Sequence, residues 1–239
     1  MIMQNMLKVD LHIHTDSDPK DFFKIGYSAT DLIDRAAELK FDVISITNHD
    51  YLTYSPDLAK YAKEKGILLI PGIERTVQGK HVLMYNITQE EADNIKNFED
   101  IARIRRADTF VIAAHPYFMF FGMKDKLVKH IELFDAVEFS FLWTNFMNFN
   151  KQAEKIAHKY NLPIIENSDA HSLSYFGDNY STIDSEKDII SVFNAIKNNK
   201  VYLNKQGMGH LKFFWIIFVI LTSPIRRLFY NLFHGVYRK

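Results

Sequence analysis

With 239 residues, 47% of them hydrophobic and 24% charged, the chain suits one large domain with a buried core, or one domain and an appendage. Lysine plus arginine equals aspartate plus glutamate at 29 each, which excludes a global bias toward nucleic acid or membrane. Cysteine is absent, so disulfides, thiolate ligands and a cysteine nucleophile are excluded, and a cytoplasmic location is expected.

The opening MIMQNMLKVDLHIH lacks the basic start and long apolar stretch of a signal peptide. Leu7–Ile13 predicts the first strand and carries Asp10-Leu-His12-Ile-His14 at its end. A polar loop with Asp16, Asp18 and Asp21 follows. Ser28-Ala-Thr-Asp31 opens a helix, with Ser28 or Thr30 as N-cap and Leu32, Ile33, Ala36, Ala37 and Leu39 as its buried stripe. Val43–Thr47 predicts a strand ending in Asn48-His49-Asp50, and residues 55–65 a helix. The apolar run Ile67–Pro71 leads into Gly72-Ile-Glu74, where the glycine permits a sharp turn. His81 begins a strand extending to Ile87, and a helix is expected over 89–106. Phe110–Ala114 reads as a strand ending at His115-Pro116, then a helix over 124–132 and a strand Ala136–Phe139. A helix over 147–160, a strand Pro163–Ile165, the motif Ser168-Asp169-Ala-His171 and a helix over 186–198 complete this part. Seven near-continuously apolar strands alternating with helices predict a parallel α/β architecture, either a barrel one unit short of eight or an open sheet.

Composition changes after about Lys205, giving an expected domain over 1–205 and an apolar, basic helical tail over 206–239. Phe213–Ile225 is 13 uncharged residues, a helix of roughly 20 Å against a hydrocarbon core of ~30 Å, so a conventional span is not expected. Two readings stand. The tail packs its apolar face on the barrel or a second subunit, or it lies in a membrane interface through residues 208–230. In the second, Trp215 and the phenylalanines supply the apolar side and Lys212, Arg226, Arg227, Arg238 and Lys239 the cationic side.

Six of the ten histidines sit in motifs placed at the ends of strands, where α/β barrels build their active sites. Imidazole and carboxylate hold zinc, iron or manganese, so the pattern predicts a polynuclear metal site and an enzyme. His12 and His14, two apart on a strand, share a face, as do Asp169 and His171. Asp10 is placed to orient the first pair from outside the ligand shell. Glu74 is a carboxylate able to bridge two ions, and Asp18 is favoured over Asp16 as a further ligand. His130, His158, His210 and His234 lack such context and read as surface or packing residues.

The ordered set DLHIHT, ITNHD, PGIE with a following histidine, AHP and SDAH resembles the PHP (polymerase and histidinol phosphatase) superfamily over roughly residues 8–205. That resemblance implies a distorted (β/α)7 TIM-like barrel holding two or three divalent ions: manganese, zinc or iron, with magnesium admissible. It assigns His12, His14, Glu74 and Asp169 to one ion. A second shares Glu74 and adds His81 and His115; a third takes Asp18, His49 and His171. Two departures stand out: Asn48 replaces the aspartate usual in the second motif, and the loop after His14 is compressed. The chemistry expected is hydrolysis of a phosphate monoester or of a nucleotide or oligonucleotide phosphate, with a hydroxide held between ions at Glu74 as the nucleophile. Arg75 or the Arg103/Arg105/Arg106 cluster would grip phosphate oxygens, and His171 or Asp50 would protonate the leaving group. A small phosphorylated substrate is expected, with nucleic acid only as a short or single-stranded one. The rivals are an amidohydrolase-like metal hydrolase, whose superfamily also carries HxH on its first strand, and a non-catalytic metal-binding module.

Overall fold

The computed structural model describes residues 5–119 and 122–234, and the side chains of Asn231, Phe233 and His234 lie outside that description. The cationic residues Arg238 and Lys239 also fall outside it. In chain order the strands are β1 (Met6–Ile13), β2 (Val43–Ile46), β3 (Leu68–Leu69), β4 (Gly72–Val77), β5 (Lys80–Tyr85), β6 (Phe110–Ala113), β7 (Ala136–Phe139), β8 (Ile164–Glu166), β9 (Ser181–Asp184) and β10 (Val201–Leu203). The helices are α1 (Ala29–Glu38), α2 (Pro56–Glu64), α3 (Gln89–Asn94), α4 (Asp125–Lys129), α5 (Asn150–Lys159), α6 (Ile189–Lys197) and α7 (His210–His234).

All seven predicted strands form, but the sheet is mixed rather than parallel. Two five-stranded sheets run in the orders β10-β9-β1-β2-β3 and β4-β5-β6-β7-β8. Between their ends run single bridges, Ile13 to Ala170 and His49 to Glu74, and among the described residues no continuous ladder closes the expected barrel. The antiparallel elements have local causes. β4 and β5 form a hairpin whose turn, Gln78-Gly79, has φ of 48° and 73°, the left-handed geometry that suits the twist of paired strands. β9 and β10 add antiparallel pairs beside β1. The parallel ladders β1-β2, β6-β7 and β7-β8 are buried on both faces, which is why their sequences read as unbroken apolar runs.

One interior cluster gathers Leu7, Val9, Leu11, Leu83, Tyr85, Ile112 and Ile165 from both sheets. A second joins Ile13 and Ile46 to the stripe Leu32, Ile33 and Ala36 of α1. Ile13 leaves the first cluster because the β1-β2 register shifts between Asp10 and Ile13. Such irregularities re-aim side chains, and this one lies on the segment carrying His12 and His14. Helix α1 starts at Ser28 with a reciprocal capping box to Asp31, as the sequence indicated. The helix expected over 89–106 stops at Asn94 and resumes as a 3-10 turn, Glu99–Ile104. There the Asp100 carboxylate accepts the Lys96 and Asn97 amides, offering the backbone an alternative to helical bonding.

Gly72 lies within β4 rather than in a turn, and its reason is proximity. A Cβ there would come 2.2 Å from Ser45 Oγ and 2.9 Å from the Tyr85 ring. Gly72→Ala is therefore expected to destabilise the fold by about 1–3 kcal/mol through overpacking, read as a lowered midpoint in thermal unfolding. An unchanged midpoint would show that Ser45 and Tyr85 move aside freely.

The chain divides into two compact units, Met1–Phe141 with Phe149–Gln206, and Leu142–Asn148 with Gly207–Lys239. The second thus takes in a loop besides the tail expected from residue 206. Its helix α7 has 25 residues, far more than the apolar run alone, because Pro224 is accommodated inside it. Along α7 Leu211, Trp215 and Leu232 are 90%, 64% and 69% exposed, whereas Phe213 is buried. By length and composition His210–Tyr230 is able to cross a membrane, a length the sequence reading did not anticipate.

Candidate metal centre

The strand ends of the first unit bring the predicted residues into one cluster around Glu74, on β4. Five imidazoles approach its carboxylate: His81 Nδ1 at 2.8 Å, His49 Nε2 at 3.0 Å, His115 Nε2 at 3.3 Å, and His12 and His14 Nε2 at 3.5 Å each. Asp169 Oδ1 lies 3.2 Å from His14 Nε2, 3.5 Å from His12 Nε2 and 3.6 Å from His171 Nδ1. Three of the residues that end the strands hold positive φ without being glycine: Asp50 at 55°, His115 at 26° and Asp169 at 46°. Backbone strain of this kind persists where surrounding structure enforces it, and it clusters at functional sites.

Each first-strand imidazole is oriented from behind by a carboxylate. His12 Nδ1 is 2.9 Å from Glu138 Oε1, and His14 Nδ1 is 2.8 Å from Asp18 Oδ2. Glu138 was missed in the sequence. It also accepts the His115 amide and the Asn167 side chain, fixing three strand ends at once. Its signal was an acidic residue inside the buried strand Ala136–Phe139, where a charge needs partners. Asp10, expected to do this orienting, instead accepts the backbone amides of His12 and Ser168, and burial pushes its carboxyl up to about 7.

The three loop aspartates separate clearly. Asp16 is exposed. Asp18 is buried, accepts the Lys20 and Asp21 amides, and sits between His14 and His49, 2.8 Å from each Nδ1. Asp21 reaches His171 Nε2 at 2.9 Å. Of the expected trio, Asp18 and His49 converge with His14, while His171 lies with Asp21, Asp169 and the stacked ring of the same His14. The Asn48 side-chain amide spends its bonds on Thr15 and Thr53, pinning the loop after His14, and its backbone carbonyl accepts the Glu74 amide.

The donor set fits divalent ions. If His12 and His14 donate from Nδ1 to their carboxylates, both Nε2 atoms present lone pairs 3.2 Å apart, an arrangement that a proton or a cation between the rings must relieve. Groups whose ligand atoms converge are His12, His14 and Glu74; His12, His115 and Asp169; His14, Asp18 and His49; His14, Asp169 and His171; and His49, Glu74 and His81. Without an ion, burial opposes charge on His12, His14, His49 and His115, yet the carboxylates facing them win and raise all four. Burial keeps His81 and His171 below the usual imidazole value. For Asp18, Glu74 and Asp169 burial is likewise overcome, here by the surrounding histidines, and all three stay ionised.

The two residues expected to handle substrate are paired with each other. Arg75 Nη1 donates to Asp50 Oδ1 at 2.6 Å, and Lys20 Nζ lies 2.9 Å from Asp50 Oδ2. Burial would raise Asp50, but the Thr76 amide, Lys20 and Arg75 together hold it below the ordinary carboxylate value. A carboxylate so held favours its ionised form. Lys20 was not singled out in the sequence; nothing in its local pattern distinguishes it from a solvated lysine. The Arg103, Arg105 and Arg106 cluster is engaged with Asp100, Asp135, Glu91 and Asp108.

Residues 148–201 match the PHP-associated family model. The fold resembles a two-domain protein containing a predicted PHP-like metal-dependent phosphoesterase from Bacteroides vulgatus, at TM-score 0.63 and 18% identity, over 89% of this chain and 69% of that one. It also resembles PsfC from Pseudomonas syringae, at TM-score 0.58 and 13% identity, over 92% and 98% of the two chains. An amidohydrolase from Chromobacterium violaceum with bound sulfate matches at TM-score 0.55 and 14% identity, over 82% and 97%. No curated protein matches the sequence as a relative. The resemblance to the PHP superfamily carried by the five motifs is supported by the matched segment and by the shared fold.

Proposed function

From a chain with a PHP-associated segment and the fold of a PHP-like protein, we propose that this is a metal-dependent phosphoesterase acting on a small phosphorylated substrate or a short nucleotide phosphate. The observation that carries the reading is Glu74, a buried carboxylate met by five imidazoles. His12, His14, His49, His81, His115, His171, Asp18, Glu74 and Asp169 would hold two or three divalent ions, of which manganese, iron and zinc suit an all-nitrogen-and-oxygen set. When bound, such ions supply positive charge to phosphate oxygens and lower the pKa of water.

The chain's own residues divide the remaining work. Glu138 and Asp18 fix the imidazole tautomers, so the Nε2 atoms of His12 and His14 face inward. Asp50 holds Lys20 and Arg75 beside the strand end that carries Glu74, giving two cations for non-bridging phosphate oxygens. His171, whose imidazole is held below its usual value by burial and by His14, would carry the proton to the leaving group.

The test is elemental analysis of the purified protein beside aryl phosphate hydrolysis with and without added Mn²⁺. Stoichiometric metal with metal-dependent turnover is expected; metal without turnover on any phosphate ester would sink the phosphoesterase reading. Asp50→Asn is expected to keep metal content but raise KM by about 10-fold, because Lys20 and Arg75 lose the carboxylate that positions them. Steady-state kinetics on the variant would read this, and an unchanged KM would free both cations from substrate contact.

A further inference from the structure

Helix α7 carries its largest exposed apolar side chains on one side. At 3.6 residues per turn, Leu211, Phe214, Trp215, Phe218, Leu221, Ile225, Leu228, Phe229 and Leu232 fall within an arc of about 140°, and each is more than half exposed. Lys212, Arg226 and Arg227 fall outside that arc, as does Ser223. The charge distribution follows the same division. Residues 206–239 hold five of the chain's 29 lysines and arginines and none of its 29 acidic residues. The remainder is correspondingly acidic, so the overall neutrality conceals a cationic apolar tail on an anionic body.

We propose that α7 is a monotopic anchor that lies in the plane of an anionic phospholipid bilayer, apolar arc down, with Lys212, Arg226 and Arg227 at headgroup level. Burial of apolar area and attraction to anionic headgroups are the two forces that hold such helices. The rival geometry is a crossing helix, which 25 residues, about 37 Å, would permit. The placement of Arg226 and Arg227 decides against it. They follow only 13 uncharged residues, Phe213–Ile225, roughly 20 Å of the ~30 Å a crossing must fill, and seven more residues of helix continue beyond them. In the plane, by contrast, Arg226 borders the apolar arc and Arg227 lies opposite it, so both keep their charge in water. Trp215, on the arc and next to the N-terminal turn, is of the type that settles at the interface. A second copy of the chain is a poorer occupant, because two such helices would bring the cations of both close together with no acidic residue on either tail.

The absence of cysteine makes the test direct. Full-length protein purified in mild detergent is mixed with vesicles of phosphatidylcholine, or of phosphatidylcholine with phosphatidylglycerol, and floated on a density gradient. Flotation with the anionic vesicles is expected, weakened by salt, and about 30-fold weaker for the double variant Arg226→Gln/Arg227→Gln. Single cysteines at Phe218, Leu228, Ser223 and Arg227, each carrying an environment-sensitive fluorophore, then report orientation. Shielding of positions 218 and 228 from aqueous iodide, with 223 and 227 quenched, supports the in-plane helix. Shielding that follows position along the chain, so that 218 and 223 are protected alike, would overturn it in favour of a crossing helix. Failure to float, together with a doubled mass in light scattering, would overturn it in favour of a second copy. Phosphatase activity is not the readout, so these outcomes stand apart from the fate of the phosphoesterase reading.

Discussion

Glu74→Gln is expected to lose metal and metal-dependent turnover together, by about 100-fold or more in each. Removing a group that merely orients a ligand costs roughly 10- to 100-fold in affinity or activity. Glu74 stands inside the ligand cluster itself and meets five imidazoles, so its loss must exceed that range. Glutamine keeps the shape but replaces one oxygen with a donor, so at least one imidazole nitrogen would face an N–H instead of an anion. The fold itself should survive, because Ile73 and the β4-β5 ladder are untouched. Metal content by elemental analysis, with circular dichroism as the control for folding, reads the result. A folded variant with full metal would show that Glu74 does not join two ions.

Glu138→Gln offers a graded comparison, since that carboxylate holds His12 from behind and accepts the His115 amide and the Asn167 side chain, without facing the inward Nε2 atoms. The contrast also shows where sequence reasoning reached and where it stopped. The six histidines and Glu74 were legible because strand-end placement is a local property: an apolar run, then a ligand-type residue. Glu138 was not singled out, and Asp21 stood only as one of three loop aspartates, because what defines them is a partner 126 or 150 residues away. The fold divides in the same way. Strands buried on both faces announce themselves as apolar runs. β4, with Glu74, Arg75 and Thr76 in succession, and β9, Ser181–Asp184, carry polar residues whose partners are supplied only by the assembled sheet. The hairpin turn was the readable clue there, since a Gln-Gly pair able to take two positive φ values sat between the two motifs. Apolar content predicted the tail's composition but not its length, because Pro224 interrupts the run without ending the helix.

Stripping the metal is expected to lower thermal stability, and to lower it more at pH 8 than at pH 6. In the metal-free protein the raised histidines His12, His14, His49 and His115 contribute stability that is fully present below the unfolded imidazole value of about 6.5. That contribution is lost as pH rises through their folded values, about 10 for His49. The depressed carboxylates Asp18, Glu74 and Asp169 act oppositely: their contribution is present above roughly pH 4 and lost as pH falls. Metal-free protein should therefore be most stable between about pH 4 and 6.5. Metal reverses the dependence on the alkaline side, because an imidazole must shed its proton to bind, so affinity grows as pH rises. With free metal at 100 times its Kd the gain is about 2.7 kcal/mol, which for a chain of this size is roughly 5–10 °C in Tm. Scanning fluorimetry of chelated and Mn²⁺-loaded protein across pH 5.5 to 8.5 would read it. A gap that closes toward pH 8.5 would mean that the carboxylate-histidine network, and not a cation, is the resting state of the site.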